Sequence, residues 1–357
     1  MLPRTRLIQF ALTYVLFVGV LLEGAARLML GVPALEKRIW VPDDYGMRRA
    51  WVKRHAAGGR EAFYGFDRFD ASTGWRSRSN IRGMRVFGDR ILNTNALGFR
   101  GTRDFAYAKT PGKTRILILG DSFTFGDDVS DDETYSYFLE HLLPNTEIMN
   151  VAVHGYGHDQ MLILLKEVGV RYHADIVMLG FVSADMSRNL LTFRDYAKPS
   201  YRMKDGQLVR QGTPVPTPEV TLRWDWARPR VIDLYSAVRY RLWGGPALVE
   251  EGERMTRALL AEIVRVTVSV GAMPMFVYLP IDSEIERVTD PTMEEQWFFA
   301  TCRERAKLKC LSARPAFNEK LRRGATFRTK GHWDAAGHRV VAGAIAQYLV
   351  DSGVVVR

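Results

Sequence analysis

The hydrophobic and polar positions change period several times along the chain. Leu7 to Leu22 is an apolar run without a charge, preceded by Arg4 and Arg6. Alone it falls slightly short of the ~20 residues a bilayer needs, and continued to Leu30 it is long enough. The continuation takes in Glu23 and Arg27, four apart on one helical face, where they can pair and the arginine can snorkel. A transmembrane helix over 1–32 is therefore expected, read as an uncleaved single-span anchor. A cleaved signal peptide, with "EGAA" as its cleavage site, is the competing reading. The leading arginines place the N-terminus inside and the remaining chain outside the cytoplasmic membrane, with Arg27, Lys37 and Arg38 counting the other way.

Residues 33–110 read as a linker and small β-rich segment, because "GMRVFGDRILNTNALGFRG" has strand-like runs broken by glycine and asparagine. From Arg115 strands and helices alternate. "RILILG", "EIMNVAV", "ADIVMLGFV", "MPMFVYLP" and "LKCLS" read as strands; "HDQMLILLKEVGV" and "MEEQWFFATCRERAK" read as helices. Ser130 and Glu133 in "SDDE" form a capping box that opens a helix through Leu143, which Pro144 stops. The last helix, "DAAGHRVVAGAIAQYLV", takes Asp334 as N-cap. Such alternation predicts an α/β fold, a doubly wound parallel sheet in an α/β/α sandwich over 111–357. An insertion at about 198–259 interrupts it. "MKDGQL" there carries an Asp-Gly hairpin signal and "TPVPTP" a proline-rich tail.

Composition narrows the class. With 357 residues and 47% hydrophobic content the chain can build a large core. Its formal charge of +10 is diffuse, with no lysine-arginine block and no nucleic-acid module, so no nucleic-acid partner is expected. Cys302 and Cys310 are either a disulfide across a helix-to-strand turn or two buried thiols, and their spacing does not fit a zinc site. No metal ligand cluster, phosphate-cradling loop or dinucleotide fingerprint is present, and no cofactor is expected. Oligomeric state is not readable.

In an open parallel sheet, sites form at the carboxyl ends of the strands. Four segments converge there: "GDSFTFG", "HGYGHD", "SADMSRN" and "KGHWDAAGH". Together they supply a hydroxyl, backbone amides with glycine freedom and an imidazole, the parts of acyl transfer through a covalent serine. The alternative of Asp121 as a phosphoryl acceptor needs a second aspartate where Phe123 stands.

On these motifs the chain resembles the SGNH (GDSL-type) hydrolases, in their membrane-anchored bacterial form. "GDSFTFG" matches the first block, "NVAVHGYGHDQ" the glycine block, and "KGHWDAAGH" is similar to the histidine block; "NTNALGFRG" resembles what precedes the domain. The resemblance implies an SGNH/flavodoxin-like fold, related to that of periplasmic polysaccharide O-acetyltransferases. It implies Ser122 as nucleophile, His332 as general base, and the Ser122 and Gly155 amides as oxyanion donors. Asp121 would brace the turn, His338 would be structural, and His154 and His158, which flank Gly155, would either line the pocket or be partly buried, hydrogen-bonded residues.

Two positions depart from the pattern. The third block's Asn-Asp pair reads Ala184-Asp185, leaving Asn189 or Ser183 as substitutes for the lost donor. The acid two or three residues before the histidine is replaced by Lys330 and Thr329, which leaves Asp185 or a backbone carbonyl to orient the ring. The implied activity is a serine esterase acting on ester groups, O-acetyl foremost, of an extracytoplasmic glycan or lipid. An O-acetyltransferase of a cell-surface polysaccharide and a catalytically impaired glycan-binding scaffold are the alternatives. Trp224, Trp226 and Trp243, in the insertion, are either platforms for sugar rings or core residues.

Overall fold

The computed structural model describes residues 4–39, 44–56, 65–243, 245–285, 291–327 and 331–355. Helices α1 (Arg4–Gly31), α2 (Pro33–Ile39) and α3 (Asp44–Ala56) precede two hairpins. These are β1 (Asp67–Asp70) with β2 (Gly74–Ser77), and β3 (Met84–Val86) with β4 (Arg90–Leu92). Strand β5 (Thr114–Leu119) leads through α4 (Ser122–Phe125) and α5 (Tyr135–Leu142) to β6 (Thr146–Asn150). Next come α6 (His158–Glu167), β7 (Ile176–Phe181), α7 (Asp185–Arg188) and a hairpin, β8 (Ser200–Lys204) with β9 (Gln207–Gln211). Helices α8 (Pro218–Ala227), α9 (Arg230–Trp243) and α10 (Gly245–Ser269) follow. The remaining elements are β10 (Met273–Tyr278), α11 (Asp282–Ile285), α12 (Met293–Arg303), β11 (Lys309–Ser312), α13 (Arg314–Arg322) and α14 (Ala335–Asp351). They divide into two compact units.

The larger unit holds residues 63–192, 198–215 and 251–357. Its sheet is five-stranded and parallel throughout, in the order β11–β10–β7–β5–β6. Strand β7, buried along its whole length, lies at the centre between β10 and β5, as burial on both faces demands. Ile118 pairs with Asn150 on one side and Met178 on the other. The period-2 alternation sends Ile116 and Ile118 to one face, in a core with Leu139 of α5, Phe317 of α13 and Ile345 of α14. Leu117 lies on the opposite face with Leu165 of α6, and Phe181 on that face meets His158 and Phe298 of α12. Helices on both faces make the sheet doubly wound, the α/β class expected. Cys302 and Cys310 are joined by a disulfide that ties the end of α12 to β11.

One boundary differs from the expectation. Glu133 Oε2 accepts the Ser130 N–H (2.9 Å), but the box opens only a 3₁₀ turn over Asp131–Glu133. Ser130 Oγ also accepts the Ile91 N–H of β4 (3.1 Å), so the capping of α5 passes to Thr134, whose Oγ1 accepts the Tyr137 N–H.

The smaller unit holds the first 62 residues with 193–197 and 216–250. Among the described residues, one helix is long and apolar enough to cross a membrane, Thr5–Gly31. Glu23 pairs with Arg27 (2.7 Å), and its carboxylate accepts the backbone N–H groups of Arg230 and Val231 (both 3.0 Å), closing the start of α9. Leu30, Tyr45 and Ala237 pack together between α1, α3 and α9. Arg48 of α3 reaches Asp225 (3.2 Å) and Asp233 (2.6 Å), and Arg230 Nη2 adds a second bond to Asp225 (2.7 Å). Burial works against both carboxylates, but the bonds from Arg230, Arg228 and Arg48 hold Asp225 and Asp233 below the usual range. Trp224 and Trp226 belong to this unit and are 70% and 81% exposed, so neither is a core residue. The side chain of Trp243 lies outside the described residues.

Candidate active site

The first loop is shaped by what glycine permits. A Cβ on Gly120 would stand 2.1 Å from Thr124 Oγ1, so only glycine lets α4 fold back onto the end of β5. Asp121 caps that turn, its Oδ1 accepting the Phe123 N–H (3.0 Å), which is the bracing part expected of it. Gly126 ends the turn at φ +92°, where a side chain would also strike Thr134. Ser122 is thereby held, buried, at the carboxyl edge of the sheet.

His332 arrives from 210 residues away with its Nε2 2.7 Å from Ser122 Oγ. Its loop is fixed at both sides. The Gly331 N–H donates to Asp282 Oδ2 (2.7 Å), and Trp333 Nε1 donates to the Pro280 carbonyl (3.0 Å) beyond β10. Phe123 packs against both the His332 and Trp333 rings at 4.9 Å, so the residue after the nucleophile is the wall behind the base. On the other side of the imidazole, Asp128 Oδ2 lies 3.7 Å from Nδ1. Asp128 sits six residues after Ser122 at φ +68°, a left-handed position that aspartate tolerates better than most side chains. Hydroxyl, imidazole and carboxylate therefore stand in line, with the ring about a quarter exposed (25%) and Asp128 28% exposed. Thr329 and Lys330 lie outside the described residues.

The substitutes weighed for the missing groups are engaged elsewhere. Asp185, considered as the orienting acid, is buried and ion-paired with Arg188; the carboxylate on the Nδ1 side of His332 is Asp128. Asn189, considered as an oxyanion donor, gives its Nδ2 protons to His158 Nδ1 (3.0 Å) and Thr256 Oγ1 (2.8 Å). Its Oδ1 accepts the His158 N–H (2.8 Å). Ser183 Oγ donates to Glu284 (3.1 Å). Arg188 was not singled out in the sequence, yet its Nη1 donates to Asp121 Oδ2 (3.0 Å) and the Tyr156 carbonyl (3.2 Å) as well as to Asp185. Asp121 Oδ2 is in turn 3.5 Å from Ser122 Oγ, which sets a fixed positive charge one carboxylate away from the hydroxyl.

Gly155 adopts φ +74°, and its loop is pinned by the first hairpin: Trp75 Nε1 donates to the His154 carbonyl (2.8 Å) and Tyr156 Oη to the Trp75 carbonyl (2.6 Å). His154 pairs with Asp127 through Nδ1. His158 is buried, and burial, reinforced by Arg188, pushes it down to about 3, so it is neutral. His338 is likewise held at about 3 by burial, with Arg100 and His332 adding to the effect, and its Nδ1 accepts the Tyr135 N–H (3.1 Å). Both serve as neutral hydrogen-bonding core residues.

No family model matches the chain, and no curated protein matches it. Among solved structures it is similar to a member of the lipolytic G-D-S-L family from Veillonella parvula, at 14% identity and TM-score 0.39, over 66% of this chain and 98% of that one. An acetylxylan esterase from Geobacillus stearothermophilus aligns at 13% identity and TM-score 0.40, over 67% and 95%. A two-domain esterase active on acetylated mannans aligns at 14% identity and TM-score 0.39, over 68% of this chain and 50% of that one.

Proposed function

We propose that the chain is a membrane-anchored serine esterase of SGNH type that removes acyl groups, acetyl foremost, from an extracytoplasmic glycan or lipid. The observation that carries the proposal is the 2.7 Å contact between Ser122 Oγ and His332 Nε2, with Asp128 behind the ring. In this mechanism Oγ attacks the ester carbonyl carbon as its proton passes to Nε2. The tetrahedral oxyanion faces the Ser122 and Gly155 amides, and collapse expels the alcohol, which takes the proton back from Nε2. Water, deprotonated by the same nitrogen, then attacks the acyl-enzyme and releases the carboxylic acid. The partial exposure of the His332 side chain supports hydrolysis, because the base is open to solvent.

The unoccupied third-block donor bears on rate. Loss of one such donor costs about 10²–10³ in well-studied enzymes, so a slower turnover than that of a complete constellation is expected. Three observations support the proposed location. Thr5–Gly31 has the length and composition of a span. Glu23, Ala26 and Leu30 are built into their unit or buried within it, which favours an uncleaved helix over a removed leader. The Cys302–Cys310 bond is of a kind that oxidising compartments retain, in keeping with an exported domain.

The test is labelling of the full chain in membranes with a fluorophosphonate, alongside acetate release from a chromogenic ester. Wild type should label, and Ser122→Ala and His332→Ala should not. Folded wild type that resists both a large and a small phosphonate would overturn the esterase reading. Acetyl appearing on an added oligosaccharide in place of free acetate would reassign the same acyl-enzyme to transfer.

A further inference from the structure

Trp224 and Trp226 are among the most exposed large side chains in the protein, and their place relative to α1 is fixed. They flank Asp225, which is bonded to Arg230 through both its carboxylate (2.7 Å) and its carbonyl (3.0 Å). The Arg230 N–H in turn donates to Glu23 Oε1 (3.0 Å) on α1. The α8–α9 corner is thus tied to α1 at one level, that of Glu23. Between Arg6 and Glu23 the helix carries no charge and rises about 26 Å, within one turn of the ~30 Å hydrocarbon thickness of a bilayer. Glu23 therefore marks the edge of the hydrocarbon, and the corner bonded to it lies at headgroup depth.

We propose that the α8–α9 corner is seated in the headgroup layer of the membrane that α1 crosses, with Trp224 and Trp226 as its interfacial anchors. The proposal rests on the reading of α1 as a span. Several properties of the corner fit a lipid surface. Tryptophan rings prefer this layer because the body is apolar and the indole N–H is polar. Ile232, on the first turn of α9, is also exposed. Asp225 and Asp233 are neutralised within the unit by Arg48, Arg228 and Arg230, while Arg223, next to Trp224 in the chain, is exposed at the corner. Sugar platforms would have no such reason to stand at the level where the uncharged run of α1 ends.

The test uses the full chain reconstituted in phosphatidylethanolamine–phosphatidylglycerol vesicles, with lipids brominated either near the headgroup or near the acyl-chain end. Because α1 contains no tryptophan, quenching reports on rings outside the span. Headgroup-proximal bromine should quench part of the emission, and Trp224→Phe/Trp226→Phe should remove that part. Wild type that resists alkaline carbonate extraction yet shows the same quenching as the double variant would overturn the interfacial corner while leaving the span intact. Release by carbonate would overturn the span, and the corner with it. A double variant that shrinks the detergent-solubilised oligomer without changing the quenching would assign the tryptophans to a second copy of the chain instead.

Discussion

Replacing Asp128 by asparagine tests the orienting carboxylate with little else disturbed. Asparagine tolerates the left-handed backbone at φ +68° that alanine would strain, and it has the same size without the charge. The quantity lost is the attraction between Asp128 and the imidazolium that forms as Ser122 attacks. At the observed 3.7 Å this is about 1.1 kcal/mol at the dielectric of water and about 4.5 kcal/mol at the effective value of 20 near a protein surface. Both groups are about a quarter exposed, which places the site between these limits. At about 1.4 kcal/mol per decade, the drop lies between roughly 6-fold and 2,000-fold, centred near 10². That is smaller than the ~10⁴ lost when a serine protease loses its buried triad acid, because Asp128 is wetter and longer-reaching. The assay is the second-order rate of fluorophosphonate labelling, paired with ester turnover, for wild type and Asp128→Asn. A variant that labels within about 3-fold of wild type while remaining folded would refute Asp128 as the acid, since even full solvent screening predicts more.

Arg188→Met should leave Asp121 and Asp185 buried without their shared guanidinium, costing about 3–5 kcal/mol in unfolding free energy and slowing the labelling of Ser122; denaturant melts and labelling rates read the two effects. His158 and His338 titrate near 3 when folded and near 6.5 when unfolded, so the unfolded chain binds more protons between those values. Stability is thus complete above about pH 6.5 and falls as pH drops toward 3, by up to about 2.7 kcal/mol per pH unit for the two together. Urea midpoints of the detergent-solubilised protein between pH 7 and 4.5 check the sign. Removing the Cys302–Cys310 bond with paired serines, which opens a loop of sequence separation 8, should cost about 2–3 kcal/mol and lower the melting temperature without abolishing labelling.

The sheet was legible because its strands are short continuous apolar runs between glycine and proline punctuation, and Ser122 and His332 because their loops carry local motifs. Asp128 was hidden for a physical reason. It belongs to a run of acids that reads as a helix N-terminus, and its place beside His332 is set by packing between segments far apart in the chain, a tertiary fact. The available signal was the doubled aspartate after "FTFG" in a chain with no acid two or three residues before His332. Arg188 was missed for a related reason: its partners Asp121 and Tyr156 stand 67 and 32 residues away. The assembly of α1, α3 and α9 was equally unreadable, since buried ion pairs such as Arg48–Asp233, separated by 185 residues, leave no periodic trace.

The hydrogen bonds that Glu23 accepts from the start of α9 bear on how such a gene can be rearranged. A membrane anchor, which α1 is proposed to be, is usually treated as an interchangeable leader, replaced by any segment of similar hydropathy. Here an all-apolar replacement would uncap α9 and remove the Leu30 side of the Tyr45–Ala237 packing. Leader-swapped fusions should therefore insert normally yet become protease-sensitive in residues 216–250, and restoring a glutamate in register with position 23 should return their resistance.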